Sequence, residues 1–146
     1  MYLALLNESE KAVFLGMTYN LATVDGDYSD SEKVMIDGYC QELQCQFDEK
    51  TMVKPMDSLI QTIKVGSSDK VKKIFIFELV GLAMSDGNYD NNERKIIGQM
   101  LTEYNIDFSF ANKCEEILSE YIDFQGRINE LVLGWRRGVV WDYLTF

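Results

Sequence analysis

Two short segments gather the side chains best suited to chemistry. Leu21-Ala22-Thr23-Val24-Asp25-Gly26-Asp27-Tyr28-Ser29-Asp30-Ser31-Glu32-Lys33 aligns without a gap on Leu82-Ala83-Met84-Ser85-Asp86-Gly87-Asn88-Tyr89-Asp90-Asn91-Asn92-Glu93-Arg94, 61 residues later. Leu, Ala, Asp, Gly, Tyr and Glu coincide, and Lys33 meets Arg94. Further on, Ile36 meets Ile97 and Glu42 meets Glu103. Counted from the aspartate of each D-G pair, Asp25, Asp27 and Ser29 fall at spacing 1, 3, 5, as do Asp86, Asn88 and Asp90. That is the opening of an EF-hand loop, whose oxygen ligands suit a hard cation. The loop then departs from an EF-hand. Asp30 or Asn91 replaces the invariant glycine, Ile36 or Ile97 replaces the closing bidentate glutamate, and Glu32 or Glu93 comes early.

A cation here would sit in a shorter, more open turn, held by two carboxylates and water. Ca²⁺ or Mg²⁺ fits the donors, and the candidate ligands are Asp25, Asp27 and Glu32, then Asp86, Asn88, Asp90 and Glu93. A second reading needs no ligand. Gly26 or Gly87 supplies the permissive backbone at a helix end. Ser29 or Asp90 then caps the next helix, and Glu32 or Glu93 completes a capping box. Asp25 and Asp86 stand apart, because each falls where a preceding helix ends and its macrodipole disfavours a carboxylate. Lys33 and Arg94, or a bound cation, are the compensating partners.

The elements that must carry these turns are helical. Asn7 and Glu10 have capping-box spacing, and Val13, Phe14, Met17, Leu21 and Val24 follow with a helical period. Ile36, Tyr39, Cys40, Leu43 and Phe47 form a second run, and the polar stretch Asp48 to Pro55 breaks the pattern. Leu59, Ile60 and Ile63 belong to a short helix ending near Gly66. Ser67 or Ser68 caps the next, which is apolar on most sides from Ile74 onward and therefore central. Three more helices are expected near 91–104, 109–122 and 127–144. Their inward positions are Ile96, Ile97, Met100 and Leu101; Phe110, Cys114, Ile117, Leu118 and Tyr121; and Ile128, Leu131, Val132, Trp135 and Val139. The expectation is one all-α domain over 1–146, a compact bundle of about seven helices. Two pseudo-twofold-related helix–turn–helix repeats, about 10–47 and 70–105, would place both acidic turns at one end, with C-terminal helices over about 109–144.

Composition narrows the function. Among 146 residues, 14 Lys and Arg face 24 Asp and Glu, a net charge of −10. That balance argues against nucleic-acid binding, which rests on neutralising phosphates. There is no histidine, which removes imidazole-based nucleophilic catalysis and His-containing zinc sites. No phosphate loop or organic-cofactor motif is present, so an enzyme is not expected. Cys40, Cys45 and Cys114 form no C-x-x-C pair and read as reduced, mostly buried thiols of a cytoplasmic protein. Cys40 and Cys45 are expected on different faces of one helix. No basic segment precedes an apolar one at the start, and the apolar run Ile74 to Met84 is too short to span a bilayer.

The segment Ala83-Met84-Ser85-Asp86-Gly87-Asn88-Tyr89-Asp90-Asn91-Asn92-Glu93-Arg94-Lys95 resembles the tellurite-resistance TerB family. That family carries an A-x-x-D-G turn followed by an acidic helix start, twice, and Tyr104-Asn105-Ile106-Asp107 is similar to the end of its second helix. The resemblance runs from about Val13 to Lys113 and implies an all-helical domain whose paired acidic turns bind metal. It also implies roles in stress-response complexes, or beside the membrane-tethered end of J-domain co-chaperones. Protein partners are accordingly expected. The competing reading is a metal-independent module whose acidic face meets a basic partner.

Other features have plainer readings. Glu78 belongs to a narrow polar strip or to a buried ion pair. The run Trp135-Arg136-Arg137-Gly138-Val139-Val140-Trp141-Asp142-Tyr143-Leu144 is expected to dock on the bundle, with a homodimer interface as its competitor. The seven methionines are core filler.

Overall fold

The computed structural model describes residues 1–24, 30–85 and 89–135, the side chains of residues 31, 32 and 85 excepted. A 3-10 turn at Leu3–Leu5 precedes seven α-helices among these residues: α1 Glu8–Ala22, α2 Asp30–Leu43, α3 Glu49–Met52, α4 Met56–Gly66, α5 Asp69–Ser85, α6 Asn91–Glu103 and α7 Phe108–Leu133. No strand occurs among them, and the all-α expectation holds. No helix among them is long and apolar enough to cross a membrane. The chain divides into two compact units, Met1–Phe75 and Ile76–Phe146, with the boundary inside α5.

In the first unit, α1 is the organising element and packs on α2, α3 and α4. Phe14, Leu15 and Met17 point in different directions around the helix and are all fully buried, as a helix surrounded by neighbours requires. The Phe14 ring meets Tyr39 of α2 edge-on at 5.3 Å and Phe75 of α5 at 5.8 Å. Such pairs contribute about 0.5–1.5 kcal/mol beyond their buried area. Asn7 starts α1 with the expected capping box: its side chain accepts from the Glu10 amide at 2.9 Å, and Glu10 Oε1 accepts from the Asn7 amide at 3.0 Å. The stretch expected to be irregular holds α3, because Asp48 accepts from the Lys50 amide at 3.1 Å and the Thr51 hydroxyl at 3.0 Å. Leu59, Ile60 and Ile63 of α4 are buried as their spacing indicates.

In the second unit, Ile76, Leu79, Val80, Leu82 and Ala83 of α5 are buried, with Ile97, Met100 and Leu101 of α6 and Ala111, Cys114 and Leu118 of α7. Glu78 is fully buried, so the reading that placed it on a polar surface strip does not hold. The two helices expected over 109–122 and 127–144 are one through residue 133. Gln125 Nε2 donates to Tyr121 Oη at 2.9 Å across the expected break, and Gly126 is buried. The helix stops at Gly134, whose amide still bonds the Glu130 carbonyl at 3.0 Å and whose left-handed φ of 80° then turns the chain off the helix. Val139 and the rest of the C-terminal run lie outside the described residues. Ile117, Ile128, Leu131, Val132 and Trp135 were expected inward and are exposed instead.

The 61-residue offset reappears in local structure. α1 begins at Glu8 and α5 at Asp69; α2 begins at Asp30 and α6 at Asn91. Beyond α2, Gln44 is left-handed with φ 55°, and beyond α6 so is Asn105, with the same angle. The Cys45 amide bonds the Cys40 carbonyl at 3.1 Å, and the Ile106 amide bonds the Leu101 carbonyl at 2.9 Å. Both are the six-to-one bond of a Schellman motif. This corrects the expectation for the cysteines. Cys45 lies past the end of α2, turned back over Cys40, and not on another face of the same helix.

Candidate metal-binding turns

The start of α6 fixes two candidate ligands. Asp90 is its N-cap, extended at φ −83° and ψ 175°. Asp90 Oδ1 accepts from the Glu93 amide at 2.9 Å, and Glu93 Oε1 accepts from the Asp90 amide at 3.2 Å. These bonds satisfy two backbone donors that the helix cannot satisfy itself, and both acids sit at the positive end of the helix dipole. Each carboxylate commits one oxygen to the cap.

Beside the cap lies a cluster that sequence reasoning missed. The Arg94 guanidinium carbon stands 3.9 Å from the centre of the Tyr89 ring, and Arg94 Nη2 is 3.1 Å from Glu115 Oε1 on α7. Arg94 was a candidate counter-charge for Asp86; among the described residues its carboxylate partner is Glu115. Burial pushes the Tyr89 hydroxyl up to about 12, the Glu115 carboxylate adds to the shift, and Arg94 offsets part of it. Tyr89 is repeated from Tyr28, and Arg94 corresponds to Lys33, but nothing in a local pattern announces a partner 21 residues away on another helix. Burial likewise pushes the Cys114 thiol up to about 11, with Glu115 adding to it, so Cys114 is a poor nucleophile.

The first turn is bracketed in the same way. α1 ends at Ala22, and Thr23 closes it: its amide bonds the Tyr19 carbonyl at 3.0 Å and its hydroxyl reaches the same carbonyl at 2.8 Å. α2 begins at Asp30, so Glu32 is its third residue. Lys33 Nζ lies 3.8 Å from Asp30 Oδ1, an exposed i,i+3 pair. Such a pair contributes little to stability. Asp25, Asp27, Asp86 and Asn88 lie outside the described residues, as do Gly26, Ser29, Gly87 and the Glu32 side chain. Among the described residues no group of three or more Cys, Asp or Glu is placed to hold a metal ion.

As a donor set, the seven candidates offer oxygen alone, which suits Ca²⁺ or Mg²⁺ and not a soft metal. Asp90 and Glu93 are structural as well as acidic. Comparison with family models, with curated proteins and with solved structures gave no match.

Proposed function

We propose that the chain is a non-enzymatic, TerB-like helical binding domain whose two acidic D-G turns take a divalent cation. In this reading Asp25, Asp27, Asp86 and Asn88 are the principal ligands. Glu32, Asp90 and Glu93 shape the helix starts that carry the turns and lend charge. Its role would be in stress resistance, tellurite included, or in assembling a stress-response complex. The observation that carries the reading is the repetition itself. The starts of α1 and α5 and of α2 and α6, and the left-handed residues after α2 and α6, recur at the same 61-residue offset as the D-G turn, which supports reading the turn as part of a repeated unit. On the sequence reading, an acid set close behind a helix in both copies calls for a counter-charge.

The Asp90–Glu93 capping box favours a second reading, in which the turns are structural and the acidic face meets a basic partner without metal. Calorimetric titration of the full chain with Ca²⁺ and with Mg²⁺ separates the two. The cation reading expects saturable binding and a melting temperature that rises with ligand, as mass action requires. It also expects the gain to vanish in the double variant Asp25→Asn with Asp86→Asn. A melting temperature indifferent to millimolar Ca²⁺ and Mg²⁺ would leave the metal-independent module.

A further inference from the structure

The chain doubles back at the end of α2 and brings two thiols together. The Cys45 amide bonds the Cys40 carbonyl at 3.1 Å, and the Gln44 amide bonds the Gln41 carbonyl at 3.3 Å. With Gln44 left-handed, these are the two bonds of a Schellman motif. A contact between the side chains at the places held by Cys40 and Cys45 commonly accompanies that motif. The 3.1 Å bond joins the backbones of the two cysteines themselves. Standard bond lengths then keep their Cα atoms within roughly 7 Å, the reach of a disulfide. Both thiols are free and half-buried, open in part to solvent. At the 61-residue offset, Leu101 and Ile106 hold the same two places, joined by the same bond at 2.9 Å. An aliphatic pair therefore suffices to close such a turn, and sulfur is not required for it.

Charge acts within the pair as well. Burial pushes the Cys40 thiol up, Cys45 adds to the shift, and a bond from the Phe47 amide offsets part of it. Burial also pushes Cys45 up, but there the Lys11 ammonium works the other way. Lys11 favours the thiolate form of Cys45, which makes Cys45 the attacking sulfur and Cys40 the resolving one.

We propose that Cys40 and Cys45 form a reactive dithiol, a modification site at which a small-molecule disulfide is reduced and a Cys40–Cys45 bridge forms. The Cys45 thiolate attacks one sulfur of the small disulfide. That S–S bond breaks, and one small thiolate leaves with the electron pair and takes up the proton that Cys45 released. The Cys40 thiolate then attacks the Cys45 sulfur of the mixed disulfide. The second small thiolate leaves and takes up the proton from Cys40. Two protein thiols are oxidised by two electrons, and one disulfide is reduced to two thiols. Cys114 takes no part, being buried at 5% exposure. The bridge closes a ring across Gln44 and holds the turn that ends α2.

The test equilibrates the reduced full chain with mixtures of oxidised and reduced glutathione, in buffer and in urea. Acid quenching, alkylation and mass spectrometry then count the thiols. In buffer, two thiols are expected to disappear together with loss of two hydrogens. Trypsin should release the bridge within the single peptide Val34–Lys50, with Cys114 still reduced. Because the fold holds the thiols together, the equilibrium constant for bridging is expected to be roughly tenfold or more larger in buffer than in urea. Helix content by circular dichroism should be unchanged by oxidation. Cys40→Ser is expected to stop at a glutathione adduct on Cys45. Separate glutathione adducts on both cysteines of wild type, without a bridge, overturn the proposal. So does a bridging constant in buffer no larger than in urea, or a loss of helix when the bridge forms.

Discussion

Gln44 and Asn105 share a backbone conformation that neither favours. Each has φ 55°, each follows the end of a helix, and each turns the chain so that the next amide reaches back to a carbonyl five residues earlier. Asparagine tolerates the left-handed region better than glutamine, whose Cβ meets the neighbouring carbonyl without a short polar group to compensate. Gln44→Gly is therefore expected to stabilise the protein by about 0.5–1 kcal/mol, the relief of strain outweighing the added freedom of the unfolded chain. Asn105→Gly should gain less. Denaturant unfolding of the two variants checks the order, and a larger gain at Asn105 would contradict it.

Glu10 ties together two distant points of the first unit. Its Oε1 closes the cap of α1, and its Oε2 accepts from the Ser67 hydroxyl at 2.6 Å, 57 residues away. The carboxylate is buried at 7% exposure, so both oxygens need donors. Hydrogen bonds to charged groups contribute about 1.5–3 kcal/mol. In a double-mutant cycle, Ser67→Ala and Glu10→Ala are expected to couple by about 1 kcal/mol or more. A coupling within about 0.3 kcal/mol of zero is the additive behaviour of independent sites and would rule the link out.

What was legible beforehand follows the range of the interaction that decides it. Asn7 with Glu10, and Asp90 with Glu93, could be read from three-residue spacing because a capping box is a local device. The end of α2 could not. Phe47 continues the apolar period, but the left-handed turn at Gln44 takes the chain off the helix first. In α7, residues 123–126 look like an interruption, yet Gly126 is buried and the helix runs through it. Periodicity picks out Ile117, Ile128, Leu131 and Val132 of α7, all of them exposed, because periodicity identifies an apolar face and not what the face meets. The Arg94–Glu115 pair joins two helices, and only tertiary structure brings them within 3.1 Å.

Two helical glycines should respond oppositely to alanine. A Cβ on Gly16 would run into the Met52 carbonyl oxygen and stand 3.2 Å from Leu59 Cδ1, so α1 lies close to α3 through the missing side chain. The obstacle is backbone, which cannot swing aside, and Gly16→Ala is expected to destabilise by about 1–3 kcal/mol. On α6, a Cβ at Gly98 would meet only Phe108 Cε1, at an ordinary 3.7 Å. Alanine's helix propensity then governs, and Gly98→Ala should stabilise by about 0.5–1 kcal/mol. Melting curves of the two variants give the comparison, and equal shifts would mean that α1 and α3 are not in close contact.

Alkaline titration reads the Tyr89 cluster. The hydroxyl is pushed up from the ordinary 10 to about 12, first by burial and then by Glu115. In the unfolded chain it ionises near 10, so between pH 10 and 12 the folded state keeps a proton that the unfolded state has lost. Stability therefore falls as pH rises through that window, and Tyr89 contributes no slope below it. Burial pushes Tyr104 up as well, which steepens the loss in the same direction. The neighbours can be told apart by sign. Glu115→Gln removes a repelling charge and should bring Tyr89 down toward 10. Arg94→Gln removes the one attracting charge and should move it higher still. Following the labelled tyrosine Cζ resonance by NMR through the alkaline range assigns each shift to its residue. Movement of Tyr89 in the same direction in both variants would show that the ring is not held between the Arg94 guanidinium and the Glu115 carboxylate.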